Sequence, residues 1–264
     1  MKAIVFLGGG RITSALIAGL QLAKFDQPIL VHDRHPKKLQ ELKRRHGVRV
    51  EADLLRAVKS ADLLIIAVRP DSVRGLLNEI APHIQRRVTA VSLAAGIPLA
   101  KLRAGLGPPV RWARAMPSPV CRNGRGLTAL ACERQLPSTE RVRVRNLFKS
   151  VGQVLEIPEK QFDVFTVTFS SSHGYHALAT LIAAAEAIGL DRKTARVAAA
   201  HALTDGIAAW RQGDVPLDEL LQEAATPGGT AAAVMASLDD AGYQRIVLQG
   251  LRAGIRRARK NAGR

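Results

Sequence analysis

Through the first half of the chain, short unbroken apolar runs alternate with longer stretches in which apolar positions return at helical spacing. The runs Ala3–Leu7, Pro28–His32, Leu63–Val68, Val88–Leu93 and Val110–Ala113 predict strands buried on both faces. The stretches Ile12–Lys24, Pro36–His46, Asp53–Lys59, Ser72–Ile80 and Leu99–Leu102 predict helices, with Pro36 at the first helical position that proline favours. This rhythm predicts an α/β Rossmann fold, doubly wound around a mainly parallel sheet. Beyond Gly126 the pattern is less regular: a strand at Leu127–Ala131, a helix at Ser138–Val151 and a strand at Gln153–Glu156. After Pro158 strands stop. Helical periods rich in alanine run through Gly174–Gly189, Lys193–Arg211, Leu217–Ala224, Thr230–Asp240 and Gln244–Lys260, punctuated by glycine and proline. The shift near Gln161 predicts a boundary, with residues 1–160 forming the Rossmann domain and 161–264 an all-α dimerisation domain. Small alanine-rich helices bury their apolar faces against a second copy, which predicts a homodimer or a higher homo-oligomer.

Composition narrows the partners. The apolar run at Ala3–Leu7 is too short for a signal-peptide core, and no stretch reaches the roughly 18 apolar residues of a membrane span. Cys121 and Cys132 form no CxxC or Cys/His cluster, so no metal is expected, and two unpaired thiols fit a reducing cytoplasm. The formal charge of +17 raises nucleic acid as a partner. The positive residues are scattered, however, apart from a concentration in Arg252–Arg264. Aromatics make up 4% of the chain, too few for base-stacking platforms. A small anionic molecule accounts for the charge as well, and no nucleic acid is expected.

Gly8-Gly9-Gly10 follows the first strand and opens the first helix. A tight strand-to-helix turn needs backbone freedom, and a pyrophosphate needs close approach to the amides of a helix N-terminus. The turn therefore predicts dinucleotide binding through Gly8, Gly10, Arg11 and Ile12. Thr13 stands where the fingerprint usually has a third small residue. The second strand ends in His32-Asp33-Arg34-His35-Pro36. Asp33 suits the ribose hydroxyls of NAD; Arg34, with His35, Lys37 and Lys38, suits the 2′-phosphate of NADP. The basic cluster favours NADP, with NAD as the alternative.

At this point the sequence resembles the pyrroline-5-carboxylate reductase family, with similar blocks in the same order along nearly the whole chain. Phe6-Leu7-Gly8-Gly9-Gly10-Arg11-Ile12 looks like the family's glycine turn. Ala67-Val68-Arg69-Pro70 is similar to its A-V-K-P, and Val91-Ser92-Leu93-Ala94-Ala95-Gly96-Ile97 to its V-S-I-A-A-G-V. Arg114-Ala115-Met116-Pro117 matches R-A-M-P, and Ala225-Thr226-Pro227-Gly228-Gly229-Thr230 resembles S-P-G-G-T-T. The resemblance implies hydride transfer from a nicotinamide to a cyclic imine, in a Rossmann domain followed by a helical domain that interlocks with a second subunit. It implies that Ala67, Val68, Pro70, Ala94 and Met116 lie by the cofactor. It also implies that Thr226, Gly228, Gly229 and Thr230 hold the substrate.

The chain departs from the family pattern at substrate-facing positions. Ser118 replaces the asparagine that touches cofactor and substrate, and Ala231 replaces the second threonine of S-P-G-G-T-T. His173 replaces a proline in the block Val167–Tyr175, and Thr180 and Leu181 lie where a glutamate usually follows. A protonated imine is already electrophilic, so hydroxyls and backbone amides suffice for its reduction. With Ala231 lacking a hydroxyl, His173 or Tyr175 becomes the candidate donor beside Thr230.

Two other classes compete. One is a cofactor-binding protein without catalysis, prompted by Ser118 and Ala231. The other is a carbonyl or alcohol dehydrogenase that uses His173 as its acid. Short-chain dehydrogenase chemistry fails because Ala179, not lysine, lies four residues after Tyr175. A β-hydroxyacid dehydrogenase fails because no lysine lies between Gln161 and Arg192.

Overall fold

The computed structural model describes residues 3–263. The elements run β1 (Ala3–Leu7), α1 (Arg11–Leu22), β2 (Ile29–His32), α2 (Pro36–His46), β3 (Arg49–Val50), α3 (Leu54–Ser60), β4 (Ala61–Ile66), α4 (Pro70–Ile80), β5 (Val88–Ser92), α5 (Leu99–Gly105), β6 (Val110–Pro117) and β7 (Gly126–Cys132). They continue with α6 (Ser138–Lys149), β8 (Gly152–Glu156), α7 (Glu159–Thr168), α8 (Ser171–Ala187), α9 (Arg192–Gln212), α10 (Leu217–Ala224), α11 (Thr230–Asp240) and α12 (Tyr243–Gly263). Two compact units result. The first holds the chain up to Thr168 together with the segment from Gly254 onward; the second is Phe169–Ala253.

In the first unit the strands form one eight-stranded sheet, ordered β3-β2-β1-β4-β5-β6-β7-β8. The pairs from β3 across to β6 are parallel, β6 and β7 are antiparallel, and β7 and β8 are parallel again. The mainly parallel Rossmann sheet is thus as expected. Strand alternation divides its side chains between two cores. Val5, Leu7, Leu64 and Ile66 pack with Val73, Leu77 and Leu102, so α3, α4 and α5 cover one face. Ile4, Phe6, Leu63 and Ile65 pack with Leu16, Ile17, Leu39 and Phe148, so α1, α2 and α6 cover the other. Strands buried on both faces read as continuous apolar runs, which is why β1, β4 and β5 were legible.

Local signals set the element ends. Asp53 caps α3 by accepting from the Arg56 amide at 3.0 Å, a contact of about 1 kcal/mol. Gly47 ends α2 in the left-handed conformation at φ 63. Three features differ from expectation. β3 has two residues, too few to carry a period. α7 is an additional helix, with Phe162 as its one buried residue among those described. β6 runs on through Pro117 because Arg114, which breaks the apolar run, is itself buried.

The second unit is helical, as expected. Helices α8, α10 and α11 carry no fully buried residue among those described. Large apolar side chains lie bare on them and on α9, among them Leu181, Ile207, Trp210, Leu221 and Val234. A patch of this kind marks an interface.

Candidate active site

The order β2-β1-β4 makes the carboxyl ends of β1 and β4 the switch point of the sheet, where chains leave toward opposite faces and a crevice forms. A cleft of about 1590 Å³ lies there. Gly8, Gly9, Gly10, Arg11 and Ile12 form one wall; Asp33, Arg34, His35 and Lys38 form the second; Ala67, Val68, Arg69 and Ser72 form the third.

Each glycine has its own reason. Gly8 sits at φ +115, and an added Cβ would lie 2.5 Å from the Ala67 carbonyl oxygen. A Cβ on Gly9 would meet Leu42 at 2.9 Å. Around Gly10 nothing lies within 4 Å of that position, so its bare backbone faces open space. Gly10 is also the N-cap of α1 and offers no side-chain cap. The first-turn amides of α1 therefore point at the cleft without acceptors from their own helix. This cradle fits a pyrophosphate, held by amides and the positive end of the helix dipole. Thr13 replaces the usual small residue without cost, because its buried hydroxyl donates to the Gly8 carbonyl at 2.6 Å.

Asp33 ends up buried at the foot of the second wall. It accepts from the Gly9 amide at 2.8 Å, the His35 amide at 2.9 Å and His35 Nδ1 at 2.9 Å, with Lys38 Nζ at 3.5 Å. Burial alone would raise its pKa; the Gly9 and His35 amides, the imidazole and Lys38 together outweigh that and hold it below the usual carboxylate value.

The remaining cofactor candidates follow adjacent parallel strands. Val68 and Pro70 come after β4, Ala94 after β5, and Met116 lies near the end of β6. Of these, Val68 lines the cleft with Ala67, whereas Pro70, Ala94 and Met116 are not among its lining residues. Pro70 opens α4, and Ala94 is buried with its amide donating to Ser92 Oγ at 3.2 Å. Ser118 is buried just after β6, where its hydroxyl accepts from the Val120 amide at 3.3 Å. Arg69, from the Ala67–Pro70 block, lines the cleft too, and so do Arg45, His46, Ser72 and Arg122, which carry no motif and which only folding reveals.

In the second unit Thr226–Gly229 is a turn closed by the Gly229 amide on the Thr226 carbonyl at 2.9 Å, with Gly228 at φ +76. Proline and glycine in these two central places are what such a turn requires. Gly229 then serves as N-cap of α11 without a side-chain cap, leaving the amides of Thr230, Ala231 and Ala232 without intrahelical acceptors. Thr226 and Thr230 are exposed. His173 and Tyr175 lie in the first turns of α8, both exposed, with the His173 amide donating to Ser170 at 3.0 Å.

Among the described residues no group of His, Cys, Asp and Glu could hold a metal ion, and no helix is long and apolar enough to cross a membrane.

A switch-point crevice with a glycine cradle, joined to a helical unit with bare apolar faces, defines a nucleotide-dependent oxidoreductase with an assembly domain. Residues 3–96 match the family described as NADP oxidoreductase coenzyme F420-dependent, and residues 159–261 match pyrroline-5-carboxylate reductase dimerisation. The chain is 30% identical to the pyrroline-5-carboxylate reductase of Corynebacterium melassecola over 92% of its own length and 93% of that protein. It is 27% identical to the Synechocystis enzyme over 96% of each. The solved pyrroline carboxylate reductase of Plasmodium falciparum, described with NADP bound, has the same fold at TM-score 0.88 and 22% identity, covering 99% of this chain and 98% of that one. The Streptococcus pyogenes enzyme gives 0.89 at 22% identity, covering 98% of both chains. The chain belongs to the pyrroline-5-carboxylate reductase family.

Proposed function

We propose that this chain reduces the C=N bond of 1-pyrroline-5-carboxylate to give proline, with NADP(H) as cofactor and NAD(H) as the alternative. The observation that carries this reading is the uncapped first turn of α1 at Gly10, opening into a cleft lined with basic side chains and belonging to a member of this family. A reduced nicotinamide, when bound, supplies the hydride.

The chain's own groups do the rest. The amides from Gly10 to Ile12 hold the pyrophosphate, with Gly8 letting the turn close. Ala67, Val68 and Pro70, with Ala94 and Met116, orient the nicotinamide end, and Ser118 stands in for the family's asparagine. Thr226, Gly228, Gly229 and Thr230 bind the substrate carboxylate through the free amides of α11. The Thr230 hydroxyl hydrogen-bonds the imine nitrogen, and His173 or Tyr175 supplies the donor lost at Ala231.

Residues 1–160 are proposed as the cofactor domain and 161–264 as the substrate and dimerisation domain, acting as a homodimer or larger homo-oligomer. The bare apolar side chains of the helical unit support that assembly. Two unpaired cysteines support a cytoplasmic setting. The decisive experiment is loss of reduced-nicotinamide absorbance on adding 1-pyrroline-5-carboxylate, with proline identified as product. Tight cofactor binding with no turnover of any cyclic imine would reject the reading.

A further inference from the structure

An acidic residue at the end of the second Rossmann strand ordinarily accepts the ribose hydroxyls of NAD. Here that acceptor is already used. An ionised carboxylate offers about four lone-pair directions. Oδ2 of Asp33 takes the Gly9 amide and Lys38 Nζ, and Oδ1 takes the His35 amide and His35 Nδ1. Three of these four donors belong to side chains or backbone of the loop and helix that follow. The carboxylate is 7% exposed, whereas the His35 and Lys38 side chains it holds are 54% and 47% exposed. Because a carboxylate only accepts, Nδ1 of His35 must carry a proton, which leaves Nε2 as the ring nitrogen for any further contact. Arg34, His35 and Lys38 line the cleft together, with Arg45 and His46 further along α2 and Glu41 as the one carboxylate of that helix in the lining.

We infer that Asp33 is a positioning residue and not a ribose acceptor, and that His35 and Lys38, held in place by it, act with Arg34 to select the 2′-phosphate of NADP(H) over the 2′-hydroxyl of NAD(H). This rests on the cofactor reading above. The negative charge that would repel a phosphate is screened by its own four donors. The side chains that hold it, His35 and Lys38, are the ones left at the surface of the wall.

The inference makes Asp33 and the two side chains it holds fail together. Binding of 2′,5′-ADP and 5′-AMP to the full-length protein, followed by calorimetry, isolates this end of the cofactor from the chemistry. The wild type is expected to favour 2′,5′-ADP by about tenfold or more. Asp33→Asn, His35→Ala and Lys38→Ala are each expected to weaken 2′,5′-ADP by about fivefold or more while changing 5′-AMP by less than about twofold. In turnover, KM for NADPH rises while kcat and the KM for NADH hold. If Asp33→Asn instead weakens 5′-AMP and spares or tightens 2′,5′-ADP, the aspartate is a ribose acceptor and the inference is overturned. Should Asp33→Asn fail to fold, His35→Ala and Lys38→Ala decide alone, and unchanged selectivity in both overturns it. NADP binding that survives all three substitutions rejects this inference but leaves the cofactor reading standing. Absence of binding to NADP and NAD alike rejects the cofactor reading itself.

Discussion

The Cβ that Gly8 lacks would stand 2.5 Å from the carbonyl oxygen of Ala67, so the turn after β1 and the turn after β4 pack backbone against backbone. Gly8→Ala places a methyl on a carbonyl and forces a non-glycine residue to φ +115. It is expected to cost about 2 kcal/mol or more and to lower the midpoint of thermal unfolding by several degrees. Gly10→Ala meets nothing within 4 Å. It is expected to cost at most about 1 kcal/mol, as alanine is a poorer N-cap than glycine, while weakening NADP binding by about tenfold, as the methyl occupies the space a pyrophosphate needs. Equal stability losses in the two variants would refute this division of labour.

Arg114 is 1% exposed and bonds Asp163 at 2.7 Å, with Glu159 at 3.5 Å and the Phe162 ring centroid 4.2 Å from its guanidinium carbon. Glu159 also accepts the Leu99 amide at the start of α5. One guanidinium thus ties β6 to α7, and through Glu159 to α5. Arg114→Ala strips both carboxylates of a partner and is expected to destabilise by about 3 kcal/mol in urea unfolding. A change below about 0.5 kcal/mol would show that the hub contributes nothing net.

Asp33 yields a pH dependence with a definite sign. Its folded pKa lies below the unfolded value, so its ionised form is preferentially stabilised by folding. That contribution is complete above the unfolded carboxylate value of about 3.9 and drains away as pH falls through the folded value. The stability gap between wild type and Asp33→Asn should therefore shrink on acidification through that range. A gap that is constant or widens toward acid would contradict the hydrogen-bond arrangement.

His173→Ala is expected to cut kcat by about tenfold or more while leaving cofactor affinity intact, as loss of a positioned proton donor does. Steady-state kinetics and NADP titration on the same preparation separate the two. An unchanged rate would leave Thr230 and Tyr175 as the remaining donors.

Ile207 is exposed on α9 of a helical unit rich in bare apolar side chains. Ile207→Asp would desolvate a charge in any interface that covers it, so light scattering should show a shift toward monomer. Retention of the same mass at low micromolar concentration would place the interface on another face.

Residue order alone carried the elements whose signal is local. Continuous apolar runs marked β1, β4 and β5, because strands covered on both faces have no polar side to show. Three consecutive glycines after the first of them marked the cradle, because only that residue combines left-handed backbone with close approach. What depends on distant partners was decided by the tertiary structure. Arg114 reads as a break in a strand until Asp163, 49 residues later, supplies its counter-charge. Asp33 reads as an open acceptor until the amide of Gly9, 24 residues earlier, donates to one of its oxygens. The physical reason is the same in both cases: whether a charge is buried, and whether it is free, is set by donors and acceptors that only folding brings within hydrogen-bond reach.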